Sequence, residues 1–145
     1  MNTQGSGIFD NDAAHEFLEK LRGAAPTAVG DLISGALRGV AQAERPLEVD
    51  DVQEALVAVA LLLGEYDDAV LADAPDAEAV KAWFVDLEVE LNPARRQIAG
   101  AAITRILLPA DNAWYERCNS VEGGKQAIGA VLRLQEELAD ATGQD

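Results

Sequence analysis

The single histidine, His15, lies in the run Asp12-Ala13-Ala14-His15-Glu16. An imidazole beside carboxylates is the chemistry of a general base or of half a metal site. No second histidine follows it, so the zinc-protease pattern is missing. At the start of a helix, His15 reads as a polar surface residue. Asp10-Asn11-Asp12 opens like a calcium loop, but His15 occupies loop position 6 and Leu21 position 12. A calcium loop needs glycine at the first of these and a bidentate glutamate at the second. Glu65, Asp67, Asp68 and Asp73 offer hard oxygen ligands at a spacing that fixes no coordination geometry, as in a solvated loop. Cys118 has Arg117 beside it, which favours a thiolate, yet a lone cysteine is more often a small buried apolar residue. Gly5-Ser6-Gly7 and Gly123-Gly124-Lys125 lack the glycine spacing that cradles a phosphate. These residues assign no catalytic, cofactor or metal role, and the expectation is a protein that is not an enzyme. The alternative is a small-molecule or metal-binding helical protein, or an enzyme built on His15 and the carboxylates near it.

The chain that must position them has 145 residues, 26 acidic and 11 basic, and a net charge of −15. Its length suits one domain, and its 49% hydrophobic content suits a folded one. An isoelectric point near 4.2 argues against binding nucleic acid, whose partners need a cationic footprint, and against anionic membrane surfaces. One cysteine excludes an internal disulfide. No basic-then-apolar leader appears in Met1 to Asp10. The longest apolar run, Ala55 to Leu63, is far shorter than the ~20 residues of a bilayer span. A cytoplasmic location is the expectation.

Apolar spacing predicts helices throughout. Ala14, Phe17, Leu18 and Leu21 form one stripe, opened by a cap from Asp10, Asn11 or Asp12 and stopped by a left-handed Gly23. A second stripe, Val29, Leu32, Ile33, Ala36, Leu37 and Val40, starts near Pro26 and ends at Pro46. Gly30, Gly35 and Gly39 within it suggest close helix approach, with plain tolerance as the other reading. The third helix, from about Asp50 to Leu63, is apolar all round in its second half and must be surrounded. After a loop from Gly64 to Asp76, Asp76 is expected to cap a fourth helix carrying Val80, Trp83, Phe84, Leu87 and Leu91. Asn92-Pro93 opens a fifth helix that Pro109 closes. Asp111 or Asn112 caps a short one through Trp114, Tyr115 and Cys118, and the last follows Gly123-Gly124 with Ile128, Val131, Leu132 and Leu138. No stretch alternates as a strand would. The expectation is an all-α single compact bundle of six to seven helices spanning 1–145, with an extended segment at 1–8 and a frayed tail at 142–145.

Charge is uneven. Between Glu44 and Asn92 there are 14 acids against Arg45 and Lys81, a net −12. The bland reading is a solvated surface that keeps an alanine-rich bundle soluble. The functional reading is a docking face for a basic protein partner, with those acids gathered on one outer surface. Its candidate residues are Glu65, Asp67, Asp68, Asp73 and Asp76, with Trp114 and Tyr115 as partly exposed aromatic anchors. The apolar stripes also leave room for a homodimer.

Gly5-Ser6-Gly7-Ile8-Phe9-Asp10-Asn11-Asp12-Ala13-Ala14, followed by Phe17-Leu18, resembles the opening signature of a bacterial family, the domain of unknown function 4259 family. Glu54 to Gly64, and Ile103 to Leu107 with Asp111-Asn112-Ala113-Trp114, are similar to its later pattern. Gln4 stands where the family carries tryptophan, and the serine-glutamate pair after the late asparagine is missing. The resemblance implies a fold and a bacterial origin and brings no agreed activity. In physical terms Phe9, Asp10, Asn11 and Asp12 form an anchored helix start. Together these readings favour a non-enzymatic acidic interaction module, of which an immunity-protein or antitoxin-like role is the most concrete version.

Overall fold

The computed structural model describes residues 8, 9, 11–64, 66–72, 74 and 76–143, with the side chains of 68, 69 and 141–143 excepted. Among these residues the chain forms seven α-helices and no strand: α1 Asp12–Gly23, α2 Pro26–Ala41, α3 Val49–Leu63, α4 Ala77–Asp86, α5 Pro93–Ile106, α6 Ala113–Ser120 and α7 Gly124–Gly143. A 3₁₀ turn, Asp68–Leu71, interrupts what the sequence shows as a plain loop.

The centre is α3. Val52 and every residue from Ala55 to Leu63 are buried. An apolar helix without a wet face is stable only when enclosed, and α1, α2, α5, α6, α7 and the 3₁₀ turn all pack against it. The stripes of the outer helices supply the lining: Phe17, Leu18 and Leu21 from α1, Ile33 and Leu37 from α2, Ile103 and Ile106 from α5, Val131, Leu134 and Leu138 from α7. Each fully buried leucine or isoleucine contributes roughly 1.5–3 kcal/mol. Leu132, expected in the α7 stripe, is exposed; Leu134 takes the inward position.

Three asparagines open three helices by accepting a backbone N–H from three residues on. Asn11 accepts from Ala14 at 2.7 Å, Asn92 from Arg95 at 2.8 Å and Asn112 from Tyr115 at 2.9 Å. Asn11 is thus the α1 cap, with Asp12 the exposed first helical residue; Asp10 lies outside the described residues. The Asn11 side-chain amide also donates to the Ile8 carbonyl at 3.3 Å, tying down the preceding turn, in which Phe9 is fully buried. Of the expected extended segment 1–8, only Ile8 is described, in a turn.

Several boundaries differ from the sequence expectation. Gly23 is the last helical residue of α1, and Ala24 leaves the helix in an extended conformation rather than through a left-handed glycine. Helix α2 stops at Ala41, before Pro46 is reached, and α5 stops at Ile106, before Pro109. Asp76 precedes α4 with φ 54° and makes no side-chain cap. Helix α4 ends at Asp86, and Glu88 turns the chain at φ 56°. Leu91, expected on the helical stripe, is buried from the following non-helical segment. The tail expected to fray from Thr142 is helical through Gly143.

Asn112 does more than cap α6. It is 1% exposed, and its amide donates to the carbonyls of Ile106 at 2.7 Å and Leu108 at 3.0 Å, closing the C-terminal end of α5. Leu47 pairs with the same segment: its N–H donates to Asp111 at 2.8 Å and its carbonyl accepts from Ala113 at 3.0 Å. Arg105 clamps the loop from above through the carbonyls of Ala110 and Asp111. The ends of α5 and α6 and the approach to α3 therefore meet at one residue. Between α6 and α7, Gly123 turns with φ 88°, and a Cβ on Gly124 would collide with the Cys118 carbonyl.

Replacing Asn112 tests this junction. Asn112→Ala orphans one N–H and two carbonyls and should lower the unfolding free energy by about 2–3 kcal/mol in urea denaturation. Asn112→Asp keeps the cap but points an anionic oxygen at two carbonyls, and should cost at least as much. A loss below about 0.5 kcal/mol for both would remove the junction from the account.

Candidate functional site

Gly30, Gly35 and Gly39 lie on α2, and the structure separates them. A Cβ on Gly30 would stand 2.7 Å from the Arg95 guanidinium. That arginine lies across α2, donating to the Ser34 hydroxyl at 3.3 Å and to the Glu90 carbonyl at 2.9 Å. Close approach is real there. A Cβ on Gly35 or Gly39 would meet nothing within 4 Å. The expectation of close helix approach fails at both positions, although each glycine weakens the helix by about 1 kcal/mol relative to alanine.

Gly35 and Gly39 instead border a groove of about 330 Å³ between α1, α2 and α3. Phe17, Leu32 and Val40 give it apolar walls, while Lys20, Asp31, Arg45, Asp51 and Glu54 bring charge to it. Burial pushes the Glu54 carboxyl up from the usual glutamate range. Asp51, Asp50 and Glu16 push in the same direction, against the opposing pull of Lys20. Asp50 and Glu54 are four residues apart on α3, the spacing at which like charges meet on one helix face.

Among the described residues, the middle-third acids nearest α3 lie at both of its ends rather than on one surface. Asp50, Asp51 and Glu54 occupy the first turns of α3 and join Glu16 of α1. Asp67, beyond the other end of α3, joins α7. Glu137 there is raised by burial, then by the charge of Asp67 and a hydrogen bond with it, and further by Asp140 and Glu136. A 15-residue helix, ~22 Å long, separates the two clusters. The reason is α3 itself: its apolar surface is enclosed, so carboxylates remain only on its first turns and past its last one.

The residues singled out from sequence fall as follows. Asp67 is half-buried and paired with Glu137; Asp76 is exposed before α4. Asp68 opens the 3₁₀ turn, its side chain outside the described residues, as are Glu65 and Asp73 altogether. Trp114 is 4% exposed and cannot serve as the partly exposed anchor expected of it. Tyr115 is half-buried and meets Trp114 edge-on at 6.3 Å. Trp83 is half-buried beneath the Arg22 guanidinium, 5.7 Å from its ring centre, and neither tryptophan lines the groove. His15 is exposed. Cys118 is buried, and burial raises its thiol against the opposing charge of Arg117, away from thiolate chemistry. Among the described residues no group of three or more histidine, cysteine or carboxylate side chains is placed to hold a metal ion, and no helix is long and apolar enough to cross a membrane. Sequence reasoning passed over Asp31 and took Gly35 and Gly39 for close helix approach or plain tolerance; two glycines about one turn apart on an otherwise regular stripe are the signal that marks the groove.

Fold and groove define a small all-α domain with an ion-rimmed cleft against its central helix. The chain belongs to the family described as Domain of unknown function (DUF4259), whose model matches residues 2–140. Comparison with characterised proteins and with solved structures finds no match.

The pH dependence of stability follows from Glu54 and Glu137. Each is raised in the folded state above the ordinary glutamate value of 4.5, so the native protein holds protons that the unfolded chain releases. Their contribution therefore falls as pH rises from that value through the folded one. Urea denaturation across pH 4 to 7 should show a shallower decline for Glu54→Gln than for the parent. An identical slope would mean that Glu54 ionises as a free side chain.

Proposed function

We propose that this domain is a non-enzymatic docking module for a basic protein partner, and that the groove side of the molecule is where docking occurs. The observation that carries this reading is the group Glu16, Asp31, Asp50, Asp51 and Glu54. Three helices contribute to it, and burial together with the charges of Asp51, Asp50 and Glu16 raises Glu54 against the pull of Lys20. Like charges held together on a folded surface oppose compaction. A cationic partner relieves that repulsion, so the ligand-free molecule is biased toward binding one. The field of a chain with net charge −15 steers such a partner and accelerates encounter. An immunity-protein or antitoxin-like role, neutralising a cationic toxin, is the most concrete form of this reading.

The test is ionic strength. The immobilised protein is used to capture partners from cells of its source, and the affinity of each purified partner is measured between 0.05 and 0.5 M sodium chloride. The expected partner is basic, and its affinity falls by about tenfold or more across that range as the charges are screened. The variant Asp51→Asn/Glu54→Gln should slow association more than it speeds dissociation. An affinity independent of salt contradicts electrostatic docking.

A further inference from the structure

We propose that the groove seats one basic side chain of the partner, a lysine or arginine. Its aliphatic stem lies over Gly35 and Gly39, and its cation ends among Asp31, Asp51 and Glu54. This rests on the docking reading above and specifies its point of attachment.

The two glycines are the starting observation. Both lie inside α2, where glycine is the poorest ordinary helix former. Neither is needed for packing, because a Cβ on either would meet nothing within 4 Å. Gly30, in the same helix, has its reason in Arg95. What Gly35 and Gly39 share is the groove, whose lining they form and where a larger side chain would take up space.

The groove's chemistry selects the occupant. Lysine and arginine combine an apolar stem with a charged head and bury the one while keeping the other in a polar setting. Leu32 and Val40 offer apolar wall to the stem, and the carboxylates at the rim offer the head its counter-charge. Lys20 and Arg45 also line the groove, but the negative neighbours outweigh Lys20 at Glu54, so the rim gains from an added cation. A bare metal ion is the poorer guest, since no ligand cluster for one occurs among the described residues. A volume of about 330 Å³ stands at the low end of ligand sites: room for one long side chain, too little for a whole helix. A second copy of this chain, itself at −15, brings repulsion instead of complementarity.

The test fills the groove. Gly39→Leu projects into open space, and the milder Gly35→Ala/Gly39→Ala serves should the leucine disturb the fold. Both should fold with a Tm equal to or a few degrees above the parent's, since each removes a helical glycine. The probe is a short synthetic amphipathic peptide of lysines and leucines, with a glutamate-for-lysine version as control, titrated calorimetrically. The parent should bind the lysine peptide and not the control. Gly39→Leu should bind at least about tenfold more weakly, and the double alanine should fall between. Equal binding by parent and Gly39→Leu overturns the groove as the seat; if Asp51→Asn/Glu54→Gln still weakens that binding, docking on this side stands without the groove. Equal binding of both peptides overturns the requirement for a cation. No binding of either peptide by the parent overturns the groove and the docking reading together. A parent dimer in sedimentation that Gly39→Leu dissociates assigns the groove to a second copy and overturns the proposal.

Discussion

The enclosure of α3 is the constraint from which the rest of the molecule follows. A helix buried at every position from Ala55 to Leu63 cannot exist until other elements surround it. That need fixes how many helices pack around α3 and which face each one buries. It also fixes where charge can go. Polar residues are shut out of its interior span and placed at its two ends, where the segments before and after it carry the carboxylates. The two acidic clusters are thus a consequence of the packing.

Enclosure by short helices creates many helix ends, and each end exposes unpaired backbone groups. Here three asparagines settle three of the starts, and Asn112 does so while buried. A buried amide is stable only if both its ends are used. Asn112 uses its oxygen for α6 and its nitrogen for the last carbonyls of α5. The Asp111-Asn112-Ala113-Trp114 segment, similar to part of the family pattern, is therefore structural: it joins two helices and pairs with Leu47 on the approach to α3. Trp114 is buried beside it for the same reason, which removes it from any surface role.

Local and regular features were legible in the sequence. The apolar run of α3, the asparagine-proline start of α5 and the stripe of α1 depend on neighbours along one helix, and the structure shows each of them. The ends of α2, α4 and α5 were less legible, because a helix stops where its packing ends and the marking proline comes later. Asp76 has the side chain of a cap, but its left-handed backbone does not use it. The groove was hidden for a different reason. Phe17, Gly39 and Glu54 come from three helices, and no periodicity within one segment can report a space between them. Only the glycines on α2 hinted at it, and glycine alone does not say whether a neighbour is close or absent. Likewise the −12 segment is a fact of composition, whereas the grouping of Asp50, Asp51 and Glu54 with Glu16 and of Asp67 with Glu137 depends on helices brought up from the two ends of the chain.

The most direct measurement is a map of backbone amide shifts by NMR while a basic partner or lysine-bearing peptide is added at low salt. Binding at the groove predicts that perturbations concentrate at Gly35, Gly39, Asp51 and Glu54 and fade as salt is raised. Perturbations centred on Asp67 and Glu137 at the far end of α3, or spread evenly over the surface, would contradict it.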